Sequence, residues 1–326
     1  MLQPNELKVN RPMHLSNGVI STTTKVWAIL QASYNGDLQT VKNLVAECPE
    51  LIYAQYNYTP PIHFAVREGH IELVKYLLQH GGHDPLHKIY PFKDSLQTIA
   101  QDRGYDEIFL LLEQYASDPP RHYSGDNGAI DFGRTPLQQQ FEKAVADADI
   151  SNVEEILNEH PEFALDETYF WGEGILTMPA KKNNHPMIEL LLRYGAKVPD
   201  LLKWAQFYYF EHKDGAVFMM EHGMNPNTMS WHGVTILHDM AQKGNIAKAK
   251  LLLKHGAAIN AVEEEYQSTP LGMAARWEHT EMVEYLLSEG ANPNLAGAVW
   301  ATPLAWARKK GYKEIKNILL GSGAKH

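Results

Sequence analysis

Apolar residues along this chain return at helical spacing in short runs. Ile71, Val74, Leu77 and Leu78 form one such stripe, and Met282, Val283, Leu286 and Leu287 form another, with the steps of three and four residues that one helix face requires. Gly81 and Gly290 close these runs, and glycine there permits the left-handed turn that ends a helix. Ahead of each Leu-rich run lies a shorter apolar run that often opens on Thr-Pro. Threonine caps a helix start, and proline suits the first turn because its missing N–H has no helical partner there anyway. The predicted unit is a short helix, a tight turn, a longer amphipathic helix and a polar loop. A single unit cannot bury its own apolar face, so units must stack.

The unit recurs in register. The clearest copies are TPPIHFAVREGHIELVKYLLQHG (59 to 81), VTILHDMAQKGNIAKAKLLLKHGAAIN (234 to 260), STPLGMAARWEHTEMVEYLLSEGANPN (268 to 294) and ATPLAWARKKGYKEIKNILLGSGA (301 to 324). A small residue closes the opening signature at Ala32, Ala65, Ala100, Ala144, Pro179, Ala205, Met240, Ala274 and Ala307, with separations of 33, 35, 44, 35, 26, 35, 34 and 33. The long interval contains SDPPRHYSGDNGAIDFGR (117 to 134), whose Gly, Pro, Asp and Ser predict an irregular insertion. The short interval leaves too few residues for a full loop, which predicts a notch near 196 to 202. AECPELIYAQYNY (46 to 58) parallels NEHPEFALDETYF (158 to 170), a trace of duplication that favours one continuous array.

This pattern resembles the ankyrin repeat, whose signature T-P-L-H-x-A opens the first helix. The expected fold class is an all-α solenoid of about nine helix-turn-helix repeats with hairpin fingers, irregular over 135 to 225. Its parts would be an extension over 1–23, repeats 1–3 over 24–116, an inserted loop over 117–134 and repeats 4–9 over 135–324. The extension would lie against the first repeat or stay flexible. His63 and His238 keep the signature histidine, which in the family bonds the neighbouring turn.

The resemblance also implies where a partner sits: against the fingers and the exposed face of the first helices, which line a concave groove. The fingers here carry Tyr56 and Tyr58, Tyr90 and Phe92, Trp171, Trp231 and His232, Tyr266, and Trp300. Tyr58 and Trp300 occupy the slot where the family commonly has the turn glycine. Aromatic residues give large contact areas at low entropic cost, so the row suits a peptide, a protein loop or a sugar chain. Trp231→Ala and Trp300→Ala are accordingly expected to weaken partner binding without loss of stability. On the first helices the exposed positions include Arg67, Lys181, Lys182, Phe207, Tyr208, Lys243, Arg276, Trp277, Lys309 and Lys310, and Trp306 lies close by. Cations beside aromatic planes toward the C-terminal end fit an acidic partner.

Composition narrows the function classes. A net charge of -10 and a pI near 5.9 argue against capture of nucleic-acid phosphates. No apolar stretch suits a membrane span, and the first residues lack a secretory apolar core. The single Cys48 excludes an intramolecular disulfide and points to a reducing, cytoplasmic setting. No nucleophile elbow, phosphate loop, H-E-x-x-H or paired C-x-x-C is present. His83-Asp84 with His87 approaches a metal spacing but lacks a fourth ligand, so no metal and no cofactor are expected. The expectation is a monomeric, non-catalytic scaffold for a protein or peptide. Its alternative is a carbohydrate or small-ligand groove, in which His232, Asp239, Arg276, Glu278 and Tyr266 could assemble hydrolase or lyase chemistry on a sugar.

Overall fold

A computed structural model describes residues 1–118, 127–203 and 205–325. The chain divides into two compact units, one of Asn5–Gly133 and one of Met1–Pro4 with Arg134–His326. Residues 119–126 of the expected insertion, and Trp204 at the expected notch, lie outside the described residues.

In the Asn5–Gly133 unit, three helix pairs follow one another. Repeat 1 is Thr23–Asn35 with Leu38–Glu47, repeat 2 is Pro61–Arg67 with Ile71–Gln79, and repeat 3 is Leu96–Arg103 with Asp106–Gln114. The extension is built in: Pro12–His14 pairs antiparallel with Ile20–Thr22, and Leu7, Met13 and Leu15 are buried. Its other edge takes the end of the insertion, where the Gly128 amide donates to the His14 carbonyl at 2.9 Å and the His14 amide to Ala129 at 2.8 Å.

The second unit holds six pairs. Repeat 4 is Pro136–Asp147 with Ile150–Glu159, repeat 5 is Thr177–Lys181 with His185–Arg193, and repeat 6 is Ala205–Phe210 with Lys213–Glu221. Repeat 7 is Ile236–Gln242 with Ile246–Lys254, repeat 8 is Pro270–Arg276 with Thr280–Ser288, and repeat 9 is Pro303–Lys310 with Lys313–Gly321. The irregularity expected over 135 to 225 is concrete. Phe170 and Trp171 both take left-handed backbone, and the first helix of repeat 6 is 3₁₀. In place of a hairpin finger, Leu201–Leu202 runs parallel to Met229–Ser230. The duplicated segments also share a form, since Pro49–Tyr53 and Pro161–Leu165 are both short 3₁₀ turns.

Three devices join a repeat to the next. All nine small-slot residues are buried, so the first helices approach closely at these points. His70, His212 and His279 each use Nε2 to reach a carbonyl on the preceding first helix, at Tyr34 (2.8 Å), Lys181 (3.2 Å) and Gln242 (2.6 Å). Asn227, Asn260 and Asn294 each accept an amide from the following loop, of Ala258 (2.7 Å), Asn292 (2.9 Å) and Lys325 (2.6 Å). Within repeats the predicted caps form: the Gly272 amide donates to Thr269 Oγ1 and the Ala305 amide to Thr302 Oγ1, both at 3.2 Å. Leu286 is fully buried on the second helix of repeat 8. Its replacement by alanine is expected to cost about 2–5 kcal/mol in urea unfolding, the range for a large-to-small core change. A loss under about 0.5 kcal/mol would contradict this packing.

Candidate functional site

Finger geometry begins with one backbone slot. In repeat 2, Tyr56 and Thr59 exchange backbone bonds, and the turn residues between them, Asn57 and Tyr58, have φ of 49° and 61°. A turn with two positive φ values favours Asn-Gly, and a side chain at the second position costs about 1 kcal/mol. The same slot holds Lys93, Gly233 and Gln267, with φ of 63°, 74° and 54°. Tyr58 thus stands where the sequence placed it. Trp300 does not: it lies within the 3₁₀ turn Val299–Ala301, outside the left-handed region.

The aromatics do not form the extended exposed row that their positions suggested. Tyr56, Phe92, Trp231, Tyr266 and Trp306 are buried, and Trp277 and Trp300 are half-buried. Exposed rings remain at Tyr58 (50%), Tyr90 (47%) and Trp171 (64%). The cause is tertiary: the rings turn toward other parts of the array, as where Tyr266 meets Trp306 of the next repeat with ring centres 6.1 Å apart, and gain apolar contacts there. Polar edges are met there too, since Tyr56 donates its hydroxyl to Glu6 and Trp306 Nε1 donates to Ser268 Oγ at 2.7 Å. Tyr58 and Tyr90 meet each other, ring centres 5.4 Å apart.

Two arginines depart from expectation in the same way. Arg67 and Arg276 hold equivalent places at the ends of first helices, and both are buried rather than exposed. The Arg276 guanidinium lies 4.1 Å from the Tyr266 ring centre, 4.0 Å from Trp277 and 5.2 Å from Trp306. Arg67 sits over Phe64 and Tyr34 at 5.0 and 5.5 Å and pairs with Glu68 at 2.7 Å. A planar, weakly hydrated cation stacks on ring faces and tolerates such burial.

Beside the Arg276 box lie buried titratable groups. His232 Nδ1 contacts the Glu265 carboxylate. Glu263 accepts the amides of Glu265, Tyr266 and Ser268, and burial pushes its carboxyl up to about 7 against the pull of those donors. Asp239 is buried and paired with Lys243 at 2.7 Å; burial raises its pKa, Lys243 opposes the rise, and its Oδ1 meets no donor among the described residues. The five residues considered for acid–base chemistry have these partners and places. Arg276 joins Tyr266, His232 goes to Glu265, Asp239 to Lys243, and Glu278 is exposed in a left-handed turn with φ of 62°. At the His83-Asp84 and His87 spacing, Asp84 accepts the Leu86 amide at 2.9 Å, and His87 Nε2 lies 3.4 Å from His63 Nδ1.

Cations and rings instead alternate along the ends of first helices in the Arg134–His326 unit. Lys181 lies 4.5 Å over Tyr208, Lys243 5.5 Å over Phe207, Arg276 4.0 Å over Trp277 and Lys309 5.8 Å over Trp306. Lys181, Lys243 and Lys309 are exposed, while Phe207, Tyr208 and Trp277 are half-buried.

The family description "Ankyrin repeats (3 copies)" matches residues 29–121 and 202–297, together more than half of the chain. The chain belongs to the ankyrin-repeat family. Among curated proteins, it is similar to human transient receptor potential cation channel subfamily A member 1, at 23% identity over 81% of this chain and 27% of that protein. Human Rabankyrin-5 is 31% identical over 32% of this chain and 10% of its own length. The chain thus spans about a quarter of the first relative and matches a tenth of the second. A solved ankyrin repeat domain from Acinetobacter baumannii AYE aligns with 58% of this chain and 100% of its own, at 26% identity and a TM-score of 0.46. Among the described residues no helix is long and apolar enough to cross a membrane.

The ankyrin signature histidine is legible atom by atom in repeat 7. The Thr235 amide donates to His238 Nδ1 at 3.1 Å, so the ring proton sits on Nε2, which reaches the carbonyls of Ala261 (3.0 Å) and Ser268 (3.3 Å). A second proton has no place there, and burial lowers the pKa from 6.5 to about 4. Below pH 6.5 the unfolded chain takes up a proton that the ankyrin fold refuses. Stability from this site is therefore complete above about 6.5 and declines toward pH 4, by about 3 kcal/mol in all. Urea unfolding across that window should show the decline, and His238→Gln should flatten it; an unchanged slope would show that the ring is not held neutral. Trp231, fully buried in its ankyrin finger, acts as core. Trp231→Ala is expected to cost about 3–5 kcal/mol in the same assay, and a change under about 0.5 kcal/mol would return it to the surface role.

Proposed function

We propose that this ankyrin-repeat protein is a non-catalytic scaffold that binds a protein or peptide along the first-helix row of repeats 5 to 9. Ankyrin repeats are in general protein-interaction scaffolds, and the observation that carries this reading is the accessible alternation of Lys181, Tyr208 and Phe207, Lys243, Trp277 and Lys309. Half-buried rings beside exposed cations provide both apolar contact area and polar points that fix register. Most finger aromatics are spent on packing, so the contact surface lies on the first helices and not on the fingers as a whole. The lone Cys48 fits work in a reducing compartment.

The test places a photo-crosslinking residue at Lys181, at Lys309 and, for comparison, at Lys254 on a second helix, in full-length protein exposed to a cell lysate. A polypeptide crosslinked from Lys181 and Lys309 but not from Lys254 is the expected result. Crosslinking from Lys254 alone, or from no position, overturns the reading. Retention of a glycan that depends on Tyr58 and Tyr90 would replace it with the carbohydrate alternative.

A further inference from the structure

We propose that His63 and His87 of the Asn5–Gly133 unit hold a Zn²⁺ ion, His63 through Nδ1 and His87 through Nε2. Neither residue belongs to the first-helix row of repeats 5 to 9, and binding there does not depend on them. Two ankyrin signature histidines, His63 and His238, differ in what their helix caps offer. The helices start alike: the cap residues Pro60 and Thr235 have φ and ψ of -87°, 168° and -85°, 164°, and the carbonyl of each accepts its histidine amide at 3.1 Å. Thr235 meets His238 Nδ1 with its amide at 3.1 Å and its hydroxyl at 2.8 Å. Pro60 has no N–H and no hydroxyl, so the pair of groups that fixes Nδ1 in repeat 7 is missing from this corner of repeat 2.

The finger of repeat 3 brings a second imidazole to that place. His87 stands eight residues before the helix cap Ser95, as Ala261, the neighbour of His238, stands eight before Thr269. Its Nε2 lies 3.4 Å from His63 Nδ1, and the two rings meet at 79° with centres 5.7 Å apart. Backbone holds His87 from both sides. Its amide donates to the Asp84 carbonyl at 3.0 Å, the Leu86 amide donates to Asp84 Oδ1 at 2.9 Å, and Ile89 pairs with Asp94.

The separation of the nitrogens favours an ion over a direct bond. A hydrogen bond from an N–H brings its two heavy atoms to about 2.7–3.2 Å. Two nitrogens bound at about 2.0–2.1 Å to one tetrahedral zinc ion lie about 3.3–3.4 Å apart, which is the distance between these rings. The tautomer agrees: with its proton on Nε2, as in His238, His63 carries on Nδ1 the lone pair that a metal takes. His63 is buried and His87 half-buried, which gives the ion one desolvated ligand and an approach from solvent. Imidazole suits zinc and its neighbours, whereas calcium and magnesium take oxygen ligands. Two ligands from the unit leave further coordination positions to water or to a donor atom of a bound molecule. The ion ties the repeat 3 finger to the first helix of repeat 2, close in sequence to Tyr90, whose ring meets that of Tyr58.

The experiment titrates Zn²⁺ into metal-free full-length protein against a chromophoric chelator and records proton–nitrogen correlation spectra of the imidazoles. One ion per chain is expected at micromolar affinity or tighter, with coordination shifts at His63 Nδ1 and His87 Nε2 and no displacement by excess Mg²⁺. His87→Ala should weaken binding at least about tenfold while unfolding of the metal-free protein stays unchanged. Pro60→Thr keeps both imidazoles but restores an amide and a hydroxyl beside Nδ1, and should weaken binding as well. His222→Ala, at an exposed histidine, should change nothing and so controls for loose surface binding. Wild-type affinity in either His87→Ala or Pro60→Thr overturns the proposal, as does absence of binding or displacement by Mg²⁺. If His87→Ala does not fold, the wild-type spectra decide: shifts confined to other imidazole nitrogens overturn it too.

Discussion

Close approach of successive first helices is the condition on which the rest depends. Each repeat has one apolar face that it cannot bury alone, and a small residue at the contact lets the next helix come near enough to cover it. Ala65, Ala100, Ala205, Ala274 and Ala307 meet that need directly. Pro179 stands at this place in the irregular stretch and Met240 in the regular first helix of repeat 7, and both are buried as well. Once the helices are close, the histidine and asparagine bonds between repeats become geometrically available, and each satisfies a backbone group that would otherwise lose its partner. Stability is thus a sum over neighbours, and no central core carries it.

The same closeness decides what is left for recognition. Where a neighbouring repeat offers an apolar floor, large rings leave water, so Trp231 and Tyr266 of the fingers and Trp306 of the last first helix turn inward. Arg276 follows them because three ring faces replace its hydration shell. Lysines such as Lys181, Lys243 and Lys309 remain exposed at the ends of the first helices in the Arg134–His326 unit. Strain marks a few other exposed points. Tyr58 and Trp171 both hold left-handed backbone that glycine would take at no cost, and both rings stay in solvent.

Two buried titratable groups, Glu263 and His238, hold backbone in place. Glu263 gathers three amides of its own finger, and His238 is fixed as a neutral donor between two carbonyls. Their displaced proton affinities follow from burial and from the backbone groups they face. Perturbed titration is often a sign of a catalytic centre, but at Glu263 and His238 it accompanies polar atoms that are engaged with backbone groups.

The sequence by itself determined the repeat, its number and its register. The small slot, the Thr-Pro caps, the closing glycines and the Leu-rich second helices are local signals, each fixed by the conformation of a few adjacent residues, and the nine positions read from them all proved buried. It also located the irregular stretch over 135 to 225, because a missing finger appears as broken spacing. Tertiary structure alone decided which aromatic and cationic side chains face water. A finger residue such as Trp231 and one such as Tyr58 have the same chemistry and nearly the same place in the repeat; which one is covered depends on a neighbour some thirty residues away. The inter-repeat histidines were missed for the same reason: His70, His212 and His279 acquire their partners only when one helix is laid against another.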